Sequence, residues 1–537
     1  MSRAWLWFLL LAAATVAAAE PEPEWRYTIR PGDTLIGVSR QYLAEPRDWP
    51  RLARLNRVVD PQRLMPGTTL RIPLAMLRQT AAPAELVAVS GEVLLTLPQA
   101  PPRPAVAGDR LPAGTILVTA ANSSAGIRFA DGSRLTLQPG SRMALDTVSV
   151  YAGGGMADTR LRLQEGRAEI QANPQKARGN RLEVITPSAV AAVRGTHFRV
   201  AAAADAAREE TLAGNVAVMA VDETVSVGEG FGTRVERGQP PRPPVALLPA
   251  PDVGDLPARI ERLPVAFAVG AVAGAAAWHG EIAADAEFTR ILLEKTSDTP
   301  RLVFADLPDG DYVLRVRAVD ALGLQGRDAQ HAFVVAARPF PPLPLAPGQG
   351  GVVREAQPPL RWAQVEGIGT YRIELAADAA FAQPVAAQSV EGAAWTPDPL
   401  APGTYFWRVA SVAGGKRGPW SDAMRFTYSA LPGAPDLGTP AIEFDRDVMR
   451  VRLAPPPAGL AYAVELAADP GGGTVLWRGS SASGALAMPR PDAGRVYLAA
   501  RLVEADGTAG PTATRVIEVP RRHEWAWLLL LLPLLAL

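Results

Sequence analysis

The chain lacks cysteine entirely and has only 4 histidines among its 537 residues. The absence of cysteine excludes disulfide bonds, thiolate metal sites and cysteine nucleophiles together. The sequence also contains no recognisable serine, histidine and aspartate triad, and no paired carboxylates in a catalytic frame. We therefore expect neither an enzyme nor a site for a cofactor or a metal ion.

The chain also lacks an excess of charge of either sign. Lys+Arg and Asp+Glu are equal at 54 each, so the formal net charge is zero. A protein that binds nucleic acid usually carries a basic field that attracts the phosphate backbone. The balanced charge therefore argues against nucleic acid as a partner.

Proline and glycine, by contrast, are abundant, with 51 and 48 residues. Both residues mark turns and linkers, so we expect little helix and many short strands. A chain of 537 residues is also too long for one core, because single cores stop growing at roughly 250 to 300 residues. The composition predicts a multidomain, mainly β protein.

The first residues have the pattern of a signal peptide. Arg3 precedes an apolar run, and Ala17-Ala18-Ala19 provides the small residues that a signal peptidase requires. We expect residues 1–19 to be removed during export, which places the mature chain in the periplasm or cell envelope. A lipoprotein is excluded because the chain has no cysteine to acylate.

Residues 521–537 end the chain with an apolar tail. Its run from Trp525 to Leu537 would extend about 20 Å as a helix, short of the roughly 30 Å hydrocarbon core of a bilayer. Flanking Arg521 and Arg522 suit a membrane interface. We expect membrane contact through partial insertion, and the alternative is a tail packed against another domain.

Residues 25–74 carry the densest pattern in the chain. A short alternating strand precedes two segments with helical spacing, and a second strand closes at Pro73. Asp33 or Thr34 can cap the first helix, and Asp48 can cap the second. The predicted element order is β-α-α-β.

The words Tyr-x-Ile-x-x-Gly-Asp-Thr-Leu, Trp-x-x-Leu-x-x-x-Asn and Pro-Gly-x-x-Leu-x-Ile-Pro in this segment resemble the LysM family of glycan-binding modules. The resemblance implies binding of N-acetylglucosamine-containing polymers, mostly peptidoglycan in bacteria, in a groove between two loops. The residues that it implies for this groove are Gly32, Asp33, Thr34, Leu35, Val59, Asp60 and Leu64. Capping alone could also explain Asp33 and Thr34, and Trp49 is expected in the core.

Residues 86–236 alternate apolar and polar positions between Asp-Gly and Pro-Gly turns, which predicts an all-β domain. The phrases FADGSRLTLQPGSRMAL, LRLQEGRAEI and VITPSAVAAVRGTHFRV resemble the FecR-type periplasmic domain. The family relays a signal from an outer-membrane transporter to a sigma factor. Here a signal peptide and a LysM-like module replace its cytoplasmic tail and membrane helix. Arg194 and His197 could contact a ligand, but an ordinary, partly buried histidine is the simpler interpretation.

Residues 238–257 are rich in proline, and the composition predicts a semi-rigid spacer that divides the chain in two. Beyond it, a Glu-x-Ala-Ala-Asp word begins at Glu281, Glu374 and Glu465, at spacings of 93 and 91 residues. A repeat of this length suits a complete β-sandwich. We expect its Glu and Asp to serve as turn devices at strand ends, with no His or second carboxylate beside them.

A Gly-x-Tyr-x-x-Arg-Val word in the first two repeats resembles fibronectin type III domains. The resemblance implies three immunoglobulin- or fibronectin-like β-sandwiches at 258–337, 341–429 and 435–520. Each repeat should bury its own core, with Trp362 and Trp407 inside the second.

Together these features predict a non-enzymatic, peptidoglycan-binding scaffold of the cell envelope. The wall contact would run through the LysM-like module, and an unknown envelope protein would bind the FecR-like or fibronectin-like domains. The alternative is a FecR-like periplasmic sensor or regulator of a signalling system.

Overall fold

The computed structural model describes residues 24–152, 156–174, 180–193 and 195–522. The chain divides into two compact units, Met1–Ala337 and Arg338–Leu537. Three expected features lie outside the described residues: the signal peptide at 1–19, Arg194 and the part of the tail after Arg522. Within the described ranges, no helix is long and apolar enough to cross a membrane.

The first module has the predicted β-α-α-β order: β1 Glu24–Thr28, α1 Leu35–Tyr42, α2 Trp49–Asn56 and β2 Thr69–Pro73. Short 3-10 helices occupy Pro46–Asp48 and Leu74–Met76. The two strands pair antiparallel, with Tyr27 opposite Leu70. The helices pack apolar residues against this pair because each carries one apolar face, and Trp49 lies half-buried against the same core.

Eighteen strands of the first unit close into a barrel. They are β3 Gln79–Ala81, β4 Ala84–Ser90, β5 Val93–Thr96, β6 Arg103–Pro104, β7 Arg110–Leu111, β8 Thr115–Thr119, β9 Ser124–Arg128, β10 Arg134–Leu137, β11 Arg142–Tyr151, β12 Ala157–Gln171, β13 Arg181–Ile185, β14 Val190–Val193, β15 His197–Ala202, β16 Ala206–Ala213, β17 Asn215–Ala220, β18 Glu223–Gly228, β19 Phe231–Glu236 and β20 Val245–Ala246. This arrangement confirms the all-β prediction.

The longest strand, β12, turns the corner of the barrel at Gly166. Before this glycine β12 pairs with β11, and from it onward β12 pairs with β15. The φ angle of Gly166 is 90°, and a Cβ there would lie 2.2 Å from the Ser141 hydroxyl oxygen. Only glycine accepts both the positive φ and this close approach. The part of β12 after Gly166, which includes Glu169, therefore lies beside β15.

The segment 238–257 differs from the expected spacer because it packs within the first unit. Its strand β20 pairs with β19, and the Leu247 amide donates to the Gly230 carbonyl oxygen (2.9 Å). The Leu248 carbonyl oxygen accepts from the Arg327 amide (2.9 Å). Although each proline removes one donor, the residues between the prolines keep theirs. The first unit therefore continues through this segment to Ala337.

Three β-sandwiches follow, as predicted. The first contains β21 Arg259–Ile260, β22 Ala266–Ala268, β23 Ala277–Ala283, β24 Ile291–Ser297, β25 Arg301–Val303, β26 Gly310–Val319 and β27 Ala329–Val335. Its larger sheet has the order β21-β27-β26-β23-β24, and β22 pairs with β25 in the smaller one. Phe267, Ile282 and Phe333 lie in the core between these sheets.

The other two sandwiches belong to the second unit. The second contains β28 Pro344–Ala346, β29 Gly351–Val353, β30 Leu360–Trp362, β31 Thr370–Ala376, β32 Pro384–Glu391, β33 Ala394–Trp395, β34 Gly403–Ala413, β35 Lys416–Trp420 and β36 Met424–Tyr428. The third contains β37 Ala441–Phe444, β38 Val448–Arg452, β39 Leu460–Ala467, β40 Val475–Ser481, β41 Ala485–Pro489, β42 Gly494–Glu504 and β43 Ala513–Val519. Trp362 and Trp407 are buried, as expected.

The repeated Asp of the sandwiches is a turn device, as predicted. Asp285 accepts hydrogen bonds from the backbone amides of Thr289 and Arg290, and Asp469 accepts from those of Gly471 and Gly473. Because each carboxylate satisfies amide groups that the turn leaves without partners, it fixes the turn after the strand.

The repeated Glu has another role, which corrects the expectation. Glu281 lies within β23, directly opposite Arg315 of β26, and Glu374 lies opposite Arg408 in the same way. Both pairs form salt bridges of 2.6 Å. The Glu and Arg of the two repeated words are therefore cross-strand partners.

Candidate functional site

The two loops of the predicted glycan groove meet in the structure. The Leu35 amide at the start of α1 donates to the Pro61 carbonyl oxygen in the second loop (2.8 Å). The Gly67 amide also donates to the Ile29 carbonyl oxygen (2.8 Å), which holds the end of the second loop against β1. Residues 30–35 and 57–67 thus form one continuous surface.

Asn56 fixes the position of the second loop. Its side-chain oxygen accepts from the Arg71 amide (2.7 Å), and its side-chain nitrogen donates to the Arg71 carbonyl oxygen (2.8 Å). Arg57 then leaves the helix in the left-handed conformation, with a φ of 52°. The asparagine of the Trp-x-x-Leu-x-x-x-Asn word is therefore a structural residue that locks α2 onto β2.

Two of the seven predicted groove residues belong to the core. Leu35 is fully buried and Leu64 is 9% exposed. Their side chains pack among the apolar residues of the module, because Leu35 lies on the inward face of α1 and Leu64 on the inward side of the second loop. This corrects the prediction that they line the groove with their side chains, although the Leu35 amide helps to join the two loops.

Thr34 caps α1, one of the two predicted possibilities, whereas Asp33 bonds to residues that precede the helix. The Thr34 hydroxyl oxygen accepts from the Gly37 amide (3.0 Å), and Asp33 Oδ2 accepts from the Tyr27 hydroxyl and the Arg30 amide (2.7 Å each). Burial and this bond to Asp33 raise the pKa of Tyr27. Asp33 Oδ1 has no hydrogen-bond partner within the described chain, so one carboxylate oxygen remains for a ligand.

Apolar side chains project from the second loop. Val59 is 98% exposed and Met65 is 72% exposed, while Asp60 beside them accepts from the Gln62 amide (2.9 Å). A sugar ring presents C–H groups as well as hydroxyls, so exposed apolar atoms beside a carboxylate suit a neutral glycan. Met65 is not among the predicted groove residues, although its place directly before the Pro66-Gly67 turn is visible in the sequence.

A cluster of charged residues lies where the barrel meets the first sandwich, inside the first unit. Ligand-type atoms of His279, Glu281 and Glu294 lie within 4.8 Å of one another, although no His or second carboxylate was expected beside Glu281. Glu281 Oε2 accepts hydrogen bonds from Arg315 (2.6 Å) and Arg317 (2.8 Å). A divalent cation here would be repelled by both guanidinium groups. The group therefore fits an ion-pair network better than a metal site.

The network joins the barrel to the sandwich. Arg315 also forms a salt bridge with Glu169 of β12 (2.9 Å), and Arg199 of β15 forms one with Asp328 (3.3 Å). His197 contacts Glu169 through Nε2 (2.8 Å), and it is partly buried, as the simpler interpretation predicted. Truncation of one partner in such a buried network is costly because the other charge remains buried.

Burial and the arginines act in opposite directions on the pKa of Glu281 in this network. Burial alone would raise the pKa of Glu281, but Arg315 and Arg317 outweigh it and hold that pKa well below its ordinary value. Burial lowers the pKa of His279 to about 4. At neutral pH, Glu281 is therefore charged and His279 is neutral. The network can thus hold the barrel and the first sandwich together without a further ion at Glu281.

Comparison with known proteins assigns families to two parts of the chain. The LysM domain model matches residues 27–73, and the FecR protein model matches residues 115–217. LysM domains bind peptidoglycan or chitin-like N-acetylglucosamine glycans, and both families are binding or regulatory rather than catalytic domains. No curated protein matches the chain.

Solved structures similar to parts of the chain fall into two groups. Two structures of a candidate anti-sigma factor from Parabacteroides distasonis ATCC 8503 are 15% and 16% identical, each with a TM-score of 0.21, and cover 24% of this chain. The chain spans 59% of the length of these proteins. The FN1–FN3 domains of chicken CNTN1 are 14% identical, with a TM-score of 0.23, and cover 51% of this chain and 99% of their own length. The fibronectin(III)-like modules of Clostridium thermocellum CbhA are 13% identical, with a TM-score of 0.21, and cover 34% and 94%.

Proposed function

We propose that this chain is a non-enzymatic scaffold of the bacterial cell envelope that binds peptidoglycan through residues 27–73. The match of this segment to the LysM domain carries the proposal. The joined loops support it, because Asp33 Oδ1, Asp60 and Val59 lie on one accessible surface of the kind that a neutral sugar polymer requires.

The proposal includes export of the chain to the periplasm or cell envelope. The signal-peptide pattern at residues 1–19 supports this location, which is also where peptidoglycan lies. The barrel and the sandwiches would then provide surfaces for an envelope protein, and the tail at 521–537 would contact the membrane. N-terminal sequencing of the mature protein, with a first residue after Ala19, tests the export step.

Val59→Asp tests the groove without disturbing the core. The side chain is 98% exposed, so the substitution should leave thermal unfolding unchanged. It places a desolvation-sensitive charge where sugar C–H groups would pack, and we expect binding of soluble peptidoglycan fragments to weaken by about tenfold, or roughly 1.4 kcal/mol. Isothermal titration calorimetry measures this change.

Val106→Asp is the matched control. Val106 is a valine of the barrel that is 61% exposed, and the variant makes the same chemical change away from residues 27–73. It should bind fragments as tightly as the unsubstituted chain. Equal affinities for the two variants would place the glycan elsewhere than in this groove.

A second candidate function is a periplasmic sensor or regulator, favoured by the FecR match at residues 115–217. In that case the glycan module would report the state of the wall to the barrel. Transcript profiles of a deletion strain before and after wall damage test this role. A defined set of promoters should respond only when the chain includes residues 115–217. An unaltered transcript profile would rule out the regulatory role and leave the scaffold as the proposed function.

A further inference from the structure

A cavity of about 190 Å³ lies where the barrel meets the first sandwich, beside the ion-pair network. The barrel contributes Arg167, Arg199 and Arg208 to its lining, and the sandwich contributes His279 and Thr296. At liquid density this volume corresponds to about six water molecules, and it is smaller than the roughly 300 Å³ of the smallest pockets for drug-sized ligands. The space therefore suits a small ion or a small organic acid.

Arg199 lines this cavity and carries a buried donor without a hydrogen-bond partner. Its side chain is only 3% exposed, and its Nη2 donates to the carbonyl oxygens of Gln325 (3.3 Å) and Gly326 (2.7 Å). Its Nε makes no hydrogen bond within the described residues, and an oxygen of Glu210 lies 3.7 Å away. A buried donor left without a partner is costly, so this position favours an added acceptor.

Arg208 has no hydrogen bond or ion pair within the described part of the chain, although it is half-buried. It lies on β16 opposite Arg234 of β19, a neighbour of the same charge. Gly323 leaves room for its guanidinium, because a Cβ at that glycine would lie 2.9 Å from Arg208 Nη1. The structure thus holds at the cavity a positive charge that has no direct ion pair within the described residues.

The other titratable groups of the lining are Arg167, His279 and Glu210. Arg167 pairs with Glu294 through Nη2, but its Nε has no hydrogen bond within the described residues. His279 is neutral at pH 7 because burial lowers its pKa to about 4. Glu210 is the acidic group of the lining; burial raises its pKa, while Arg199 and Arg208 act in the opposite direction.

We propose that this cavity binds a small oxyanion through Arg208, Arg199 and Arg167. The planar guanidinium group matches the geometry of phosphate and carboxylate oxygens and can bind them with two parallel hydrogen bonds. Such an ion would accept from the guanidinium of Arg208 and would compensate its charge, and the charges of Arg199 and Arg167 in the same lining would attract it. The ion would also stabilise the contact between barrel and sandwich, and this role is independent of glycan binding at residues 27–73.

Calorimetric titration of the purified full chain with sodium phosphate and, separately, sodium succinate tests the site, because the two arms distinguish a phosphate from a carboxylate ligand. Sodium chloride at equal ionic strength is the reference. We expect saturable binding of one of the oxyanions, with one ion per chain, and an unfolding temperature that rises with its concentration. Arg208→Gln should weaken that binding by at least about tenfold.

Arg110→Gln is the matched control, because it removes the same charge from an exposed position of the barrel and should leave binding unchanged. Arg208→Lys keeps the charge without the planar fork, so an intermediate affinity is expected. If the unsubstituted chain shows no saturable binding beyond chloride, the proposal is wrong, and this result requires no variant. Equal affinities for Arg208→Gln and Arg110→Gln would likewise overturn it.

Discussion

The three sandwiches carry the same Glu-x-Ala-Ala-Asp word but place its Glu in very different surroundings. In the first, Glu281 and its partner Arg315 are 0% and 4% exposed, and in the second Glu374 and Arg408 are 16% and 26% exposed. In the third, Ala499 lies opposite Glu465, which pairs instead with Arg478, and the two are 42% and 68% exposed. The repeated word thus defines a strand position, while the surroundings determine what the charge does.

The difference arises from what covers each pair. In the first sandwich, the barrel covers Glu281 and supplies Glu169 as a further partner of Arg315. In the second, the guanidinium of Arg408 lies over the rings of Phe381 (4.1 Å) and Trp420 (4.5 Å). A charge pair is therefore deeply buried only where another domain excludes water from it, and there its partners become essential.

Alanine in place of each repeated Glu should give the largest effect in the first sandwich. Glu281→Ala leaves Arg315 and Arg317 buried without this carboxylate, so we expect a loss of about 3 to 5 kcal/mol. Glu374→Ala should cost about 1 kcal/mol, and Glu465→Ala less than about 0.5 kcal/mol, because exposed pairs contribute little. Hydrogen exchange measured by mass spectrometry reports the free energy of opening for each sandwich separately. Equal losses in all three would show that burial does not distinguish them.

Acid should weaken the first sandwich more than the others. The pKa of His279 is about 4 in the folded state and about 6.5 in its ordinary state. Between these values the unfolded chain binds the proton more readily, so stability is lost as the pH falls from about 6.5 to 4. Because the folded pKa of Glu281 is also depressed, its contribution is present above its unfolded pKa and is lost as the pH falls through its folded pKa.

His279→Gln isolates the contribution of the histidine. Glutamine does not titrate, so the variant should lose less stability in this pH interval than the unsubstituted chain. Urea unfolding at pH 7, 5.5 and 4.5, monitored by hydrogen exchange within residues 258–337, gives the slope of the unfolding free energy against pH. The exchange of residues 341–429 in the same samples is the internal control. Parallel slopes for chain and variant would remove His279 from the explanation.

A further small effect concerns a partly exposed contact within the second unit. Arg354 forms salt bridges with Glu504 (2.9 Å) and Asp506 (3.1 Å) of the third sandwich. Because the guanidinium is 25% exposed, we expect a coupling of only about 0.5 to 1 kcal/mol between Arg354→Ala and Glu504→Ala. A double-mutant cycle of unfolding free energies measures it. A coupling energy as large as the loss of about 3 to 5 kcal/mol expected for Glu281→Ala would contradict the importance of burial.

The sequence predicts features that depend on short spacing. The β-α-α-β order of the first module follows from local periodicity and caps, and Thr34 caps α1 as expected. The three sandwiches follow from the repeat because each buries its own aromatic residues. The turn role of Asp469 is equally local, since its bonds reach only to Thr474.

Features that depend on contacts between residues distant in sequence are not predicted from the sequence. The resemblance to LysM implies Leu64 as a groove residue, yet the packing of two helices on one strand pair buries it. The segment 238–257 has the composition of a spacer, yet its Leu247 amide donates to the barrel and its Leu248 carbonyl oxygen accepts from the first sandwich. Comparison of the repeats offers one signal for the ionic cluster: the first has His279 where the second has Arg372 and the third has Ala463.

Co-sedimentation with purified peptidoglycan sacculi tests the proposed function most directly. The full-length chain and a chain without residues 24–74 are compared at equal concentration, with hydrogen exchange showing that the barrel and the sandwiches remain folded in both. The account predicts that the full-length chain sediments with the sacculi and that the shortened chain stays in the supernatant. Equal sedimentation of both chains would contradict wall binding through the LysM domain.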